Sequence, residues 1–278
     1  MKQTITYSTL ENLPLQGSFY ETEEPTKKGV ILYIHGGGLI YGTRDDLPEK
    51  YIQKFLATGY SFLALDYPLV PEVRIDTIFN TLEEGILSLP TYPDLAHENW
   101  ENVYYFGRSA GAFMTMLLGA SEKLPQPQGI IALYGYYSLT DPMMQQRSAH
   151  YQKFSAVPFM EVQKLIQTEP IAVAPIFTRF PIYMSYRQSG TWVKELLGRK
   201  NKAEDFSLTE DDLKKLPRTF IAASSADQDV PFMMSTKMAF TIPDVETYFV
   251  NGLAHDFEAD ASLSTSTECY DKIMAWLA

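Results

Sequence analysis

The sequence predicts an α/β fold: a mostly parallel, doubly wound sheet with antiparallel N-terminal strands and a helical insertion before its last strands. Three observations predict it. Short apolar, β-branched and aromatic runs recur along 278 residues with helix-like stretches between them. The inner runs, GVILYIH and FLALD, are continuously hydrophobic, which marks strands covered on both faces. The interval 136–216 carries no strand pattern and is too long for a structureless connection in a compact domain.

Two strand patterns, at 4–8 and 17–21, precede any helical stretch and supply the antiparallel start. Strands at 30–35 and 62–66 bracket a helix at 47–57. A helix at 75–89 leads to a strand at 103–107, and a helix at 110–121 to a strand at 130–134. After the interruption, a strand at 219–224, a helix at 231–240, a strand at 247–250 and a helix at 262–277 restore the alternation. Within 136–216, helical pieces at 160–168, 191–197 and 209–216 lie among prolines and aromatics. The segment is therefore expected to be a mostly helical cap or lid, inserted into a core built from 1–135 and 217–278. Its Tyr, Phe and Met side chains either line a ligand site or pack the insertion onto that core, and composition leaves both open.

A single domain of this length buries about 75% of its unfolded surface and needs no covalent staple. With 45% hydrophobic and 21% charged residues, the chain is neither disordered nor fibrous. Its 23 basic residues stand against 34 acidic ones, a net charge of −11, with no basic cluster, so no nucleic-acid partner is expected. The single cysteine, Cys269, cannot form an internal disulfide, so no oxidising compartment is required. The opening MKQTITYSTLENLPLQGSFYE is polar, without the apolar core of a signal peptide, and no window is long enough to span a bilayer. The expectation is a soluble cytoplasmic protein. A homodimer is left open, since one chain reveals no interface.

The residues that carry chemistry begin with Gly107-Arg108-Ser109-Ala110-Gly111, between a strand and a helix. A nucleophile elbow has this form: small residues allow a tight turn that lifts the serine hydroxyl above the strand ends. The helix starting at Ala110 points its positive end at the place where an oxyanion develops. His35-Gly36-Gly37-Gly38 follows the strand VILYI. It fails the dinucleotide pattern, because Tyr41 stands where the third glycine belongs, and the P-loop pattern, because Thr43 replaces the lysine. An oxyanion hole remains, in which the amides of Gly37 and Gly38 join that of Ala110, each typically worth about 3–4 kcal/mol in a transition state.

Serine needs a base, and the base needs an orienting acid. Of four histidines, His35 belongs to the glycine loop, His97 precedes the serine and His150 sits in the insertion. His255 follows the last predicted strand, at the sheet edge where Ser109 lies. The strand at 219–224 runs into a loop with two carboxylates, Asp227 and Asp229. One orients the histidine, and the other is expected to be solvated or to cap the next helix. Asp229 lies just before that helix and suits the capping role, so Asp227 is taken as the triad acid. Arg108 either attracts an anionic substrate group or pairs with a carboxylate to hold the elbow, and the second role is expected.

These motifs resemble the α/β-hydrolase superfamily, and within it the hormone-sensitive-lipase-like esterases and bacterial carboxylesterases. HGGG-L-I-Y-G resembles that group's oxyanion motif. Asp66-Tyr67-Pro68-Leu69-Val70-Pro71-Glu72 is similar to its Asp-Tyr-Arg-Leu-Ala-Pro-Glu segment, departing at Pro68 and Val70. The elbow matches except that Arg108 stands where the group usually has aspartate or glutamate. Asp227-Gln228-Asp229-Val230-Pro231 resembles the Asp-x-x-Val-Pro around the catalytic acid of many hydrolases. The ordered motifs run from His35 to His255. The group's N-terminal cap has little room before the glycine loop, so the insertion is expected to serve as the lid.

The resemblance implies an α/β-hydrolase fold and a carboxylesterase-type serine hydrolase. Its partner would be a small-molecule ester with a short- to medium-chain acyl or small aromatic group. A peptidase or acyltransferase using the same triad is an alternative, and so is a non-catalytic ligand receptor on the same fold. No cofactor is expected and no metal either: there is no HExxH and no cysteine pair, and the run Asp256, Glu258, Asp260 reads as solvated loop charges. The pairs Met143-Met144 and Met233-Met234 read as packing.

Overall fold

A computed structural model describes residues 2–278. Its strands are β1 (Lys2–Leu10), β2 (Leu13–Tyr20), β3 (Gly29–Ile34), β4 (Tyr60–Leu65), β5 (Val103–Arg108), β6 (Gly129–Leu133), β7 (Thr219–Ser224) and β8 (Val245–Val250). They form one sheet in the order β1-β2-β4-β3-β5-β6-β7-β8. The β1–β2 and β2–β4 pairs are antiparallel, and every later neighbour pair is parallel. Every residue of β3, β4, β6 and β7 is buried, as continuous hydrophobic strands require when both faces are covered.

Side chains of a strand alternate between faces, and β3 divides accordingly. Val30, Leu32 and Ile34 join the larger core, shared with α2 (Ile75–Ser88) and α3 (Ala110–Gly119). Ile31 and Tyr33 join the smaller core on the other face, shared with α1 (Glu49–Ala57) and α10 (Ser264–Leu277). All ten residues of α3 are buried, so the helix behind Ser109 lies within the protein. Because β3, β5, β7 and β8 run parallel, the loops after them share one edge of the sheet. That edge is where ligands bind in open α/β sheets.

Between β6 and β7 the chain forms α4 (Pro142–Gln145), α5 (Phe159–Leu165), α6 (Ile176–Ser189), α7 (Trp192–Leu197) and α8 (Glu210–Leu213), with 3₁₀ turns at Tyr151–Lys153 and Ala203–Phe206. Helix α6 is the longest of these and lies where the sequence predicts none. Its interior Pro181 is the reason: proline removes one intrahelical hydrogen bond and reads as a breaker. Burial of Arg179, Ile182, Tyr183 and Tyr186 outweighs that loss, and Gly190 ends the helix in the left-handed conformation at φ 72°. Tyr151, Tyr183, Tyr186 and Trp192 are buried, so these aromatics pack the insertion onto the rest of the chain. The methionine pairs split: Met144 and Met234 are buried, Met143 and Met233 exposed. Among the described residues, no helix is long and apolar enough to cross a membrane.

Candidate active site

Strand β5 ends at Arg108 and α3 begins at Ala110, so Ser109 must turn the chain alone. It does so at φ 52°, ψ −120°, a conformation that L-residues rarely adopt. The Ser109 amide donates to Leu133 O at 2.9 Å, and Ser109 O accepts from Phe113 N at 3.1 Å, which hold the turn. Gly111 lets α3 cross close over the end of β3: a Cβ there would lie 2.0 Å from Ile34 O.

The glycine loop after β3 is folded by its own carbonyl: Gly37 O accepts from Ile40 N at 3.0 Å and Tyr41 N at 3.1 Å. Gly38 adopts φ 61°, and a Cβ on it would meet Tyr183 Cε2 at 2.4 Å. Its carbonyl accepts from Trp192 Nε1 at 3.0 Å. Among the described residues, no acceptor engages the amides of Gly37, Gly38 or Ala110. The loop is also bonded to the insertion, with Gly42 N donating to Ala174 O at 2.7 Å and Ala174 N to Gly42 O at 3.0 Å. His35 stacks on Tyr67 with ring centroids 4.2 Å apart and is fully buried. Burial lowers its pKa and keeps the ring neutral, with Nδ1 2.8 Å from Gly36 O as its donor position. His35 thus braces the loop.

Ser109, His255 and Asp227 come from the ends of three separated elements and meet. His255 Nε2 lies 2.8 Å from Ser109 Oγ, and His255 Nδ1 lies 2.7 Å from Asp227 Oδ2. The other Asp227 oxygen, Oδ1, accepts from the amides of Asp229 at 2.8 Å and Val230 at 2.9 Å. Burial works to lower the His255 pKa, but the hydrogen bond and charge of Asp227, with the charges of Asp229 and Asp256, outweigh it and raise the pKa above the ordinary value. The tautomer with hydrogen on Nδ1 follows, since a carboxylate can only accept. His97 and His150 lie elsewhere: His97 is on the surface against Glu21, and His150 packs beside Phe154 in the insertion.

Two expectations require correction. Asp229 does not cap α9 (Phe232–Thr241), whose N-cap is Pro231 with no side-chain bond. Its carboxylate instead accepts from Tyr183 OH at 2.7 Å and Tyr151 OH at 3.2 Å, because α6 and the 3₁₀ turn at Tyr151 cover this loop and offer donors to it. Glu258 is not a solvated charge either. It is 1% exposed, and the run Asp256, Glu258, Asp260 turns inward at this residue to meet Arg108. Arg108 is 7% exposed, with Nε 2.7 Å from Glu258 Oε1 and 2.8 Å from Tyr134 OH, and Nη1 3.2 Å from Asp46 Oδ2. The guanidinium is thus engaged by protein carboxylates, which is the elbow-holding role expected of it.

A cavity of about 450 Å³ opens over Ser109 and His255, walled by the glycine loop, Tyr41, Tyr134 and, from the insertion, Pro175 and Ile176. Tyr134, Tyr183, Arg187 and Trp192 carry no sequence motif, so the sequence had no signal for them. A separate group, Glu21, His97 and Glu98, brings potential ligand atoms within 4.8 Å of one another. Lys27 Nζ already bridges its carboxylates, at 2.6 Å from Glu21 and 2.5 Å from Glu98.

A protein of unknown function from Staphylococcus aureus subsp. aureus Mu50 is similar at TM-score 0.87 and 28% identity, over 100% of this chain and 98% of that one. An alpha/beta hydrolase superfamily protein from Enterococcus faecalis is similar at TM-score 0.86 and 31% identity, over 100% and 98%. Over 128 residues the sequence is 31% identical to the acetyl esterase of Salmonella schwarzengrund, covering 42% of this chain and 38% of that one. The chain spans only 7–8% of the length of the Penicillium non-reducing polyketide synthases it also matches, and 6% of a 5-methylorsellinic acid synthase from Aspergillus terreus. The family model described as alpha/beta hydrolase fold matches residues 31–259. The chain belongs to the alpha/beta hydrolase fold family.

Proposed function

We propose that the protein is a carboxylesterase-type serine hydrolase that cleaves small carboxylic esters through an acyl-enzyme. The observation that carries this reading is His255, bridging Ser109 Oγ at 2.8 Å and Asp227 Oδ2 at 2.7 Å. In it, Ser109 Oγ attacks the acyl carbonyl while His255 Nε2 takes its proton and Asp227 stabilises the imidazolium that forms. The tetrahedral oxyanion develops beside the amides of Gly37, Gly38 and Ala110, which have no acceptor among the described residues. His255 then passes the proton to the leaving alcohol, and water repeats the cycle on the acyl-enzyme.

The cavity of about 450 Å³ supports a short- to medium-chain acyl or small aromatic ester. The likeness to an acetyl esterase supports the same range. Segment 136–216 acts as the cap in this reading, with Pro175 and Ile176 over the acyl-binding space and 1–135 with 217–278 as the catalytic core. The test is hydrolysis of nitrophenyl esters from acetyl to palmitoyl. Turnover is expected to peak at short acyl groups and to vanish in Ser109→Ala. Silence across the series, together with no labelling of Ser109 by an organophosphate, would overturn the reading in favour of a ligand receptor.

A further inference from the structure

Helix α6 touches both halves of the site. Tyr183 and Arg187 are four residues apart and therefore share a helix face. The Tyr183 ring lies against Gly38, so close that a Cβ there would come within 2.4 Å of it. The Tyr183 hydroxyl donates to Asp229 Oδ1 at 2.7 Å. Arg187 Nη2 donates to the Asp229 carbonyl at 2.8 Å and lies 3.5 Å from Oδ1 of the same residue. The Arg187 guanidinium also stands 5.3 Å from the ring of Trp192, whose indole N–H donates to the Gly38 carbonyl. Tyr183 and Arg187 are 4% and 3% exposed, so these contacts are shielded from water.

Asp229 passes this constraint onward. With its carboxylate and carbonyl both held from α6, its amide is fixed in place, and that amide donates to Asp227 Oδ1 at 2.8 Å. Asp227 can then present only Oδ2 to His255. The physical logic is that of a preorganised site: a reacting group is held by hydrogen bonds from residues that are themselves locked by packing. We infer that Arg187 and Tyr183 are positioning residues that, through Asp229, set the Asp227 carboxylate and the Gly38 loop as one unit. The inference rests on the proposed triad and adds that the insertion takes part in assembling it.

The experiment compares Arg187→Met, Arg187→Lys and Tyr183→Phe with the native protein. It reads kcat and KM for nitrophenyl acetate, thermal unfolding, and the His255 titration by NMR. The expected result is a kcat about tenfold or more lower in Arg187→Met, with KM within about threefold, since positioning acts on the transition state. The His255 titration should shift in Tyr183→Phe, which removes no charge, and in Arg187→Met, with partial recovery in Arg187→Lys. A merely structural role would lower the unfolding temperature and leave kcat and the titration unchanged, and that result overturns the inference. Should Arg187→Met fail to fold, Tyr183→Phe, which removes one hydroxyl, decides by the same readouts. The NMR titration needs no turnover. A native protein silent on the ester series and unlabelled by an organophosphate would therefore sink the esterase reading, while the titration still decides the positioning role.

Discussion

Arg108 Nε lies 2.7 Å from Glu258 Oε1, which ties the residue before Ser109 to the loop that carries His255. Both side chains are buried, and Tyr134 OH bonds to each, donating to Glu258 Oε2 at 2.9 Å and accepting from Arg108 Nε at 2.8 Å. Removing one member of a buried ion pair costs about 3–5 kcal/mol when nothing compensates the other, and without Glu258 the buried Arg108 keeps only the partly exposed Asp46, 3.2 Å from Nη1. Glu258→Gln should therefore lower stability by about 3 kcal/mol in urea denaturation. The double variant Arg108→Met with Glu258→Leu should recover most of the loss, because the charge that remains, on Asp46, is partly exposed and keeps its bond from Tyr33 OH. A Glu258→Gln midpoint equal to that of the native protein would refute the argument.

Ser109→Ala removes only the hydroxyl that His255 contacts. Ester hydrolysis should fall by at least about 10⁴-fold, as when the nucleophile of a triad is deleted. The circular dichroism spectrum should be unchanged, because the hydrogen bonds holding the turn are made by backbone atoms. Native-level turnover in this variant would place the nucleophile elsewhere.

In the proposed mechanism His255 must be neutral to accept the Ser109 proton, and its pKa is raised despite burial, chiefly by Asp227. The acid limb of the kcat/KM profile should therefore lie above the free imidazole value of about 6.5. Asp227→Asn should move that limb downward and slow turnover by about 10⁴-fold, because the imidazole loses its orienting carboxylate. The sign for stability is the opposite of that for activity. A raised folded pKa stabilises the protein fully below the unfolded value of about 6.5, and the contribution is lost as pH rises through the folded value. An acid limb unmoved by Asp227→Asn would contradict this account.

Gly38 has no space for a side chain, with Tyr183 Cε2 at 2.4 Å from any Cβ, and its φ of 61° disfavours one. Gly38→Ala should push the loop off Tyr183 and misplace the amides beside Ser109. A kcat loss of about 10²-fold is expected, the size seen when one oxyanion donor is removed. Steady-state kcat for nitrophenyl acetate checks it, and a native kcat in Gly38→Ala would refute the argument.

The continuous hydrophobic runs of β3 and β4 could be read directly, because a strand covered on both faces needs every residue apolar. The elbow and the glycine loop were also legible, since tight backbone turns demand small residues at fixed neighbouring positions. Helix α6 was not. Pro181 obscures it locally, and what stabilises it is burial of side chains against segments distant in the chain.

The same division runs through the site. By itself the sequence determined the fold class and named Ser109, Asp227 and His255 from motif order. Only the tertiary structure decided what Asp229, Glu258 and Arg108 do. Whether a carboxylate is solvated or buried depends on which donors other elements bring to it. Asp229 meets Tyr183 and Arg187 from forty to fifty positions earlier in the chain, and Glu258 meets Arg108 across 150 positions. Local pattern records the turns a backbone must make, because their steric demands fall on adjacent residues. It does not record charge pairing across the fold, because those partners become neighbours only when the sheet and its insertion pack together.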